Sequence, residues 1–205
     1  MKLTKFPHAC LRIEQDGGVL VVDPGSFSSP ADALRGADAV LITHEHADHV
    51  DADALKAFSG AVYAPAEVVS QLSGVDAELT AVAPGDSFTA AGLDVRVFGD
   101  RHAHIHEDVP DIPNNAYLID GRVYYAGDAF SLPGVEVETL FVPIGAPWMK
   151  LAEAIDYVRA VAPQRAHPTH DAVLSTAGQG ISDNWLTQRG HTAYSRLDIG
   201  KPIDL

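Results

Sequence analysis

The chain reads as an α+β protein, a four-layer αββα sandwich in which two β-sheets pack face to face and helices cover both outer sides. Three observations lead there. Apolar or alternating strand-type segments fall into two groups, each followed by helix-type segments. With 205 residues, 46% hydrophobic and 20% charged, the chain can bury one sizeable core. No linker, low-complexity tract or break in composition divides it, so residues 1–205 are read as one domain.

The elements follow in order. Leu3 to Val22 alternates around Asp16-Gly17-Gly18, a turn between two strands, and the apolar run Val19–Val22 ends at Asp23-Pro24-Gly25. A short helix is expected over Pro30 to Arg35, then a buried strand over Ala39 to Ile42. Asp51 to Ala57 and Ala66 to Leu72 read as helices around a short strand, Ala61-Val62-Tyr63, with Pro65 suited to the first turn of the second helix. Pro84-Gly85-Asp86 opens a turn, and Gly92 punctuates the alternation of Phe88 to Phe98. Ala116 to Ile119 and Arg122 to Tyr125 pair across Asp120-Gly121, a hairpin signal. Thr139 to Val142 is a strand, and Lys150 to Val161 an amphipathic helix with Leu151, Ile155 and Val158 on one stripe. A strand near Arg165 to Pro168 and a helix near Asp183 to Arg189 complete the chain.

Directly after the Ala39–Ile42 strand comes Thr43-His44-Glu45-His46-Ala47-Asp48-His49. Two histidines two apart in an extended segment project to one face, and the following turn swings Asp48 and His49 round to join them. Several ligands meeting at one strand end point to a metal site. Glu45, between the two histidines, should face the other way. Further histidines and an aspartate recur at strand ends: His102, His104 and His106 after Phe98, Asp128 after Tyr125, and His167 and His170 after Ala166. Eight of the ten histidines fall in these clusters. The isolated His8 and His191 read as structural or surface imidazoles. Cys10, the only cysteine, excludes an intrachain disulfide and reads as a small buried apolar residue.

These landmarks resemble the metallo-β-lactamase superfamily: Asp23 after an early strand, His44-x-His46-x-Asp48-His49, a histidine after the middle strand, Gly127-Asp128, and a late His170. Within it, Pro84-Gly85-Asp86, Val142-Pro143-Ile144-Gly145 and Pro168-x-His170 look most like the compact prokaryotic metal-dependent hydrolases related to ascorbate-phosphate lactonase. The resemblance implies a dinuclear site. His44, His46 and the post-strand histidine would hold one ion, Asp48, His49 and His170 the other, and Asp128 would bridge. His102 is nearest the strand end, with His104 and His106 as alternatives, and the Pro-x-His pattern favours His170 over His167. Imidazole and carboxylate suit zinc and equally manganese or iron. Asp23 is the expected outer carboxylate steadying a ligand.

The function expected is hydrolysis of a small ester, lactone or phosphodiester by hydroxide held on one or two metal ions, with Asp48 and Asp128 as catalytic residues. The alternative is an iron-dependent oxidoreductase, similar to the sulfur dioxygenases, on the same fold. True β-lactamase chemistry is disfavoured because Cys10 lies far from the ligand positions. A formal charge of −14 argues against nucleic acid and anionic membranes as partners and leaves a small-molecule substrate. No apolar stretch reaches membrane-spanning length, and Met1 to Phe6 carries no signal-type apolar run, so a cytoplasmic location is expected. The sequence does not specify the oligomeric state. The proline-rich stretch Glu107–Asn115 reads as a pocket wall, a lid or a plain loop, and Trp148 as a substrate contact or a core residue.

Overall fold

A computed structural model describes residues 1–205. Along the chain lie β1 (Lys2–Lys5), β2 (Leu11–Gln15), β3 (Gly18–Val22), α1 (Pro30–Ala33), β4 (Ala39–Leu41), α2 (Ala52–Leu55), β5 (Ala61–Ala64), α3 (Ala66–Gln71) and β6 (Glu78–Ala81). The second half adds β7 (Ser87–Ala90), β8 (Leu93–Arg101), β9 (Pro113–Ile119), β10 (Val123–Tyr125), β11 (Thr139–Pro143), α4 (Leu151–Val161), β12 (Arg165–Thr169), α5 (Thr176–Arg189), β13 (Ala193–Tyr194) and β14 (Pro202–Asp204).

The strands form two seven-stranded sheets, ordered β14-β1-β2-β3-β4-β5-β6 and β13-β12-β11-β10-β9-β8-β7. Each begins as an antiparallel meander and continues as parallel strands; β2–β3 and β7–β8 are joined by tight turns, whereas residues 102–112 make a long loop between β8 and β9. Parallel neighbours need a crossover, and α1 to α5 supply it everywhere except between β10 and β11, where residues 126–138 cross without a helix. Alternation along the central strands sorts side chains to the two faces of each sheet. Leu20, Val22 and Leu41 meet Tyr117, Ile119 and Phe141 between the sheets. The intervening Val21 and Val40 pack under Leu55 and Val68, while Leu118 and Leu140 pack under Val158 and Leu186. The four-layer αββα sandwich is therefore present.

Several elements differ from the sequence reading. The first strand breaks at Phe6–Cys10, where Pro7 lacks an N–H for a ladder and His8 takes a left-handed φ of 60°. The short strands β6, β13 and β14 lie at sheet edges with mostly unburied residues, so no apolar run marks them. Helix α5 extends from Thr176, well before Asp183, because Ser175 caps it by accepting from the Gly178 amide at 3.2 Å. Gly178 and Gly180 hid its first half, since glycine is a poor helix former.

The strands β3, β4, β8, β10 and β12 all end at one edge of the sandwich. Hydrogen bonds tie the sheets together there, three of them next to the strand ends. The Tyr117 hydroxyl donates to the Ile42 carbonyl at 2.7 Å, the Asn115 amide to the Thr43 carbonyl at 2.9 Å, and the Tyr125 hydroxyl to the Ala9 carbonyl at 2.8 Å.

Candidate metal centre

The Thr43–His49 turn is built on Asp23, the first residue after β3. The buried Asp23 carboxylate accepts from the Thr43 amide at 2.8 Å, the Thr43 hydroxyl at 2.7 Å and His49 Nδ1 at 2.6 Å. Because the Thr43 hydroxyl proton goes to Asp23, its oxygen is left to accept from His44 Nδ1 at 2.9 Å. Gly25 lets the turn close down: a Cβ there would lie 2.0 Å from the Asp48 carbonyl carbon and 2.4 Å from the His49 nitrogen.

Asp128 arrives from the other sheet. Asn114, at the start of β9, accepts from the Asp128 amide at 3.0 Å and donates to the Ala126 carbonyl at 2.8 Å. Gly127, with φ of 63°, sits so close that a Cβ would meet Asn114 Oδ1 at 2.4 Å. The Trp148 indole N–H donates to Asp128 Oδ2 at 3.1 Å. Trp148 is thus a hydrogen-bond partner of the site, with its ring centroid 5.9 Å from that of His102 and 5.3 Å from that of Phe130.

The side chains converge in overlapping groups whose donor atoms all lie within 4.8 Å of one another: His44, His46 and His102; His44, His49 and Asp128; and His8, Asp48, His49 and His170. His44 Nε2 and His46 Nδ1 are 3.1 Å apart. Asp128 lies between the groups, 3.1 Å from His49 Nε2, 3.4 Å from His102 Nε2 and 3.0 Å from His170 Nε2. His102 is the member of its run that joins the cluster. His104 and His106 are exposed and pair with Asp111 and Asp108 at 3.0 and 3.5 Å. His170 joins as well, whereas His167 donates Nδ1–H to the Ser195 carbonyl at 2.8 Å, outside these groups. Glu45 turns away to Gln71. Cys10 is buried beneath the helices of the first sheet, and burial pushes its thiol up to about 12.

His8 is the residue that sequence reasoning missed. It is fully buried, its Nε2 is 2.8 Å from Asp48 Oδ2, and its ring centroid is 4.1 Å from that of His170. Pro7 within an apparent strand was the available sign of a turn there. Nothing local marks where that turn points, because the contact spans the interval from residue 8 to residue 48.

The arrangement suits cations. His49, His102 and His170 each commit Nδ1–H to a protein acceptor, at Asp23, the Ala103 carbonyl and the Gly145 carbonyl, all at 2.6 Å. Their Nε2 atoms and Asp128 Oδ1 are buried with no hydrogen bond of proper geometry, although oppositely charged neighbours lie close. Buried polar atoms without partners are rare, and four in one place leave lone pairs facing a common point. Burial opposes the ionisation of Asp128, but His49, His102 and His170 outweigh it and hold the carboxyl well below the usual range. Burial likewise opposes protonation of His49 and His170. Asp128 and Asp23 hold His49 well above its ordinary value, and Asp128 and Asp48 raise His170 to about 9. The same carboxylates that raise these imidazoles would draw cations to the point their Nε2 atoms face.

Comparison with known proteins agrees with this chemistry. The family described as Beta-lactamase superfamily domain matches residues 2–170. Protein Rv0786c of Mycobacterium tuberculosis is 39% identical over 207 residues, covering 96% of this chain and 96% of its own length. The UPF0173 metal-dependent hydrolase MK1542 of Methanopyrus kandleri is 30% identical over 194 residues, covering 83% of this chain and 84% of its own. The solved structure of Igni18, a metallo hydrolase from Ignicoccus hospitalis, has a TM-score of 0.77 at 20% identity and covers 98% of this chain and 97% of its own, a likeness of fold. The matched span runs from β1 through the His170 turn, and the chain belongs to the metallo-β-lactamase superfamily, among its UPF0173 metal-dependent hydrolases.

Proposed function

We propose that this protein is a dinuclear, zinc-dependent hydrolase of small esters, lactones or phosphodiesters. His44, His46 and His102 hold one ion, Asp48, His49 and His170 the second, and Asp128 is shared. The observation that carries this reading is the convergence of the unpartnered His49 Nε2, His102 Nε2, His170 Nε2 and Asp128 Oδ1. When bound, the ions supply Lewis acidity and lower the pKa of a water toward neutrality.

The chain's own residues supply the rest. Nδ1 hydrogen bonds to Asp23, Ala103 and Gly145 fix three imidazoles in one tautomer with Nε2 directed inward. Trp148 and Asn114 clamp Asp128 at its side chain and backbone. Asp48, partly exposed at 21%, is the carboxylate of the cluster that reaches toward solvent, where it would orient the attacking water. Phe130 and Trp148 form a wall beside His102 for the apolar part of a substrate. The charge of −14 favours a small molecule over nucleic acid or an anionic membrane, and a cytoplasmic setting completes the proposal. No helix is long and apolar enough to cross a membrane.

Metal analysis joined to a substrate panel tests this reading. We expect two zinc ions per chain and turnover of an ester, lactone or phosphodiester that Asp128→Ala abolishes. One iron per chain with oxygen consumption overturns it, as does full zinc occupancy without turnover on any member of the panel.

A further inference from the structure

His8 reaches the centre from the turn between β1 and β2, which no ligand of the proposed ions occupies. Its surroundings determine which ring nitrogen carries the proton. The Ala172 amide, a donor with no alternative, points at His8 Nδ1 at 3.3 Å. Nδ1 must therefore offer a lone pair, and a neutral ring carries its proton on Nε2. Nε2 in turn faces Asp48 Oδ2 at 2.8 Å, the separation of a charge-assisted hydrogen bond. A nitrogen that donates to a carboxylate has no lone pair for a metal. Although His8 shares a group with Asp48, His49 and His170, its chemistry there differs from theirs: their Nε2 atoms are free of hydrogen bonds and its own is not.

The turn is held to this purpose. His8 adopts a left-handed φ of 60°, which costs a non-glycine residue energy and persists only where the surroundings enforce it. The enforcing contacts are present. The His8 carbonyl accepts from the His170 amide at 3.1 Å and from the buried Lys5 ammonium, and the Tyr125 hydroxyl pins the Ala9 carbonyl at 2.8 Å. The imidazole lies between His170 and the ring of Phe27, whose centroid is 5.2 Å away. The same contacts that place His170 thus place His8.

We infer that His8 is a positioning residue of the second ion: a neutral imidazole that donates Nε2–H to Asp48 and turns that carboxylate toward the point faced by His49 and His170, without itself binding metal. The inference rests on the two-ion reading above. Carboxylate ligands held by a partner outside the coordination sphere lose about 10- to 100-fold in metal affinity when that partner is removed.

Calorimetric titration with zinc of metal-free wild type, His8→Ala and His8→Gln tests it, together with 15N NMR of the wild-type imidazoles. The first zinc should bind His8→Ala as it binds wild type, and the second about 10- to 100-fold more weakly. His8→Gln, which keeps an N–H donor, should recover most of the loss. NMR should show His8 protonated on Nε2 in both metal-free and zinc-loaded protein. This measurement needs no substitution, so it decides the matter even where His8→Ala fails to fold. A His8 protonated on Nδ1, or an Nε2 resonance moved by zinc as a ligand's would be, overturns the inference. So does unaltered binding of the second zinc by His8→Ala. A wild-type protein that takes up no second zinc overturns the two-ion reading itself and the inference with it.

Discussion

At the centre, a proton and a metal ion compete for the same nitrogens. His170 is raised to about 9 and His49 is held well above its ordinary value, both because carboxylates outweigh burial. Zinc binding at Nε2 must displace the protons that these shifts favour. Raising the pH removes those protons in advance, so zinc affinity should climb from about pH 6.5 to about pH 9, by up to about tenfold per pH unit for each proton displaced. Calorimetry in buffers of different ionisation enthalpy measures the protons released, and a flat affinity across that window contradicts the account. The Trp148 indole makes a second test. Trp148→Phe keeps a ring against Phe130 and His102 but deletes the donor to Asp128. A hydrogen bond to a charged group is worth about 1.5–3 kcal/mol, so kcat should fall on the order of tenfold or more with little change in melting temperature. An unchanged kcat removes Trp148 from the clamp on Asp128. Which histidines would converge was legible in the sequence, because His44, His46 and His49 share one turn and His102 follows a strand directly. The roles of His8 and Trp148 were not, since each depends on a partner distant in the chain, Asp48 or Asp128.

The turns at the strand ends owe their shape to a few small or amide-bearing residues. Gly25 is required by proximity, because its missing side chain leaves room for the Asp48–His49 backbone. Gly25→Ala should destabilise the protein by about 1–3 kcal/mol or more and weaken zinc binding, read by thermal melting and zinc titration of the same sample. Gly180 provides the contrast. It lies inside α5 with nothing within 4 Å of an added Cβ, so Gly180→Ala should stabilise by about 0.5–1 kcal/mol and leave zinc binding unchanged. If both variants behave alike in the melt, crowding at Gly25 is not the cause. The long alternating strands and the amphipathic α4 were readable because periodicity needs only neighbouring residues. The first half of α5 was obscured by its two glycines. Strands of two to four residues, such as β6, β13 and β14, take their form from the neighbour they pair with, Ala61–Ala64 for β6 and Lys2–Thr4 for β14.

The proposed metal centre draws on both sheets: Asp23, Asp48 and four histidines come from the first, and His102, Asp128 and His170 from the second. Its geometry therefore depends on how the sheets are registered against each other. Apolar packing between them holds them together without fixing that register closely, because the hydrophobic effect is non-directional. Directional bonds at the strand ends supply what packing lacks, from Tyr117 to the Ile42 carbonyl and from Tyr125 to the Ala9 carbonyl. Both hydroxyls are fully buried, and removing either leaves a buried carbonyl short of a partner. Tyr117→Phe and Tyr125→Phe should each cost about 1–3 kcal/mol. Tyr117 adjoins the turn of His44, His46 and His49, and Tyr125 adjoins the turn of His8, so the two should differ in zinc binding. Tyr117→Phe should weaken both equivalents, and Tyr125→Phe mainly the second, through His8 and Asp48. Denaturant melts of the metal-free variants measure the stability cost, and zinc titrations measure the coupling to the site. Loss of stability with zinc affinities unchanged in both variants would mean that the sheets hold their register through packing alone, and that the tyrosines brace the fold without shaping the centre.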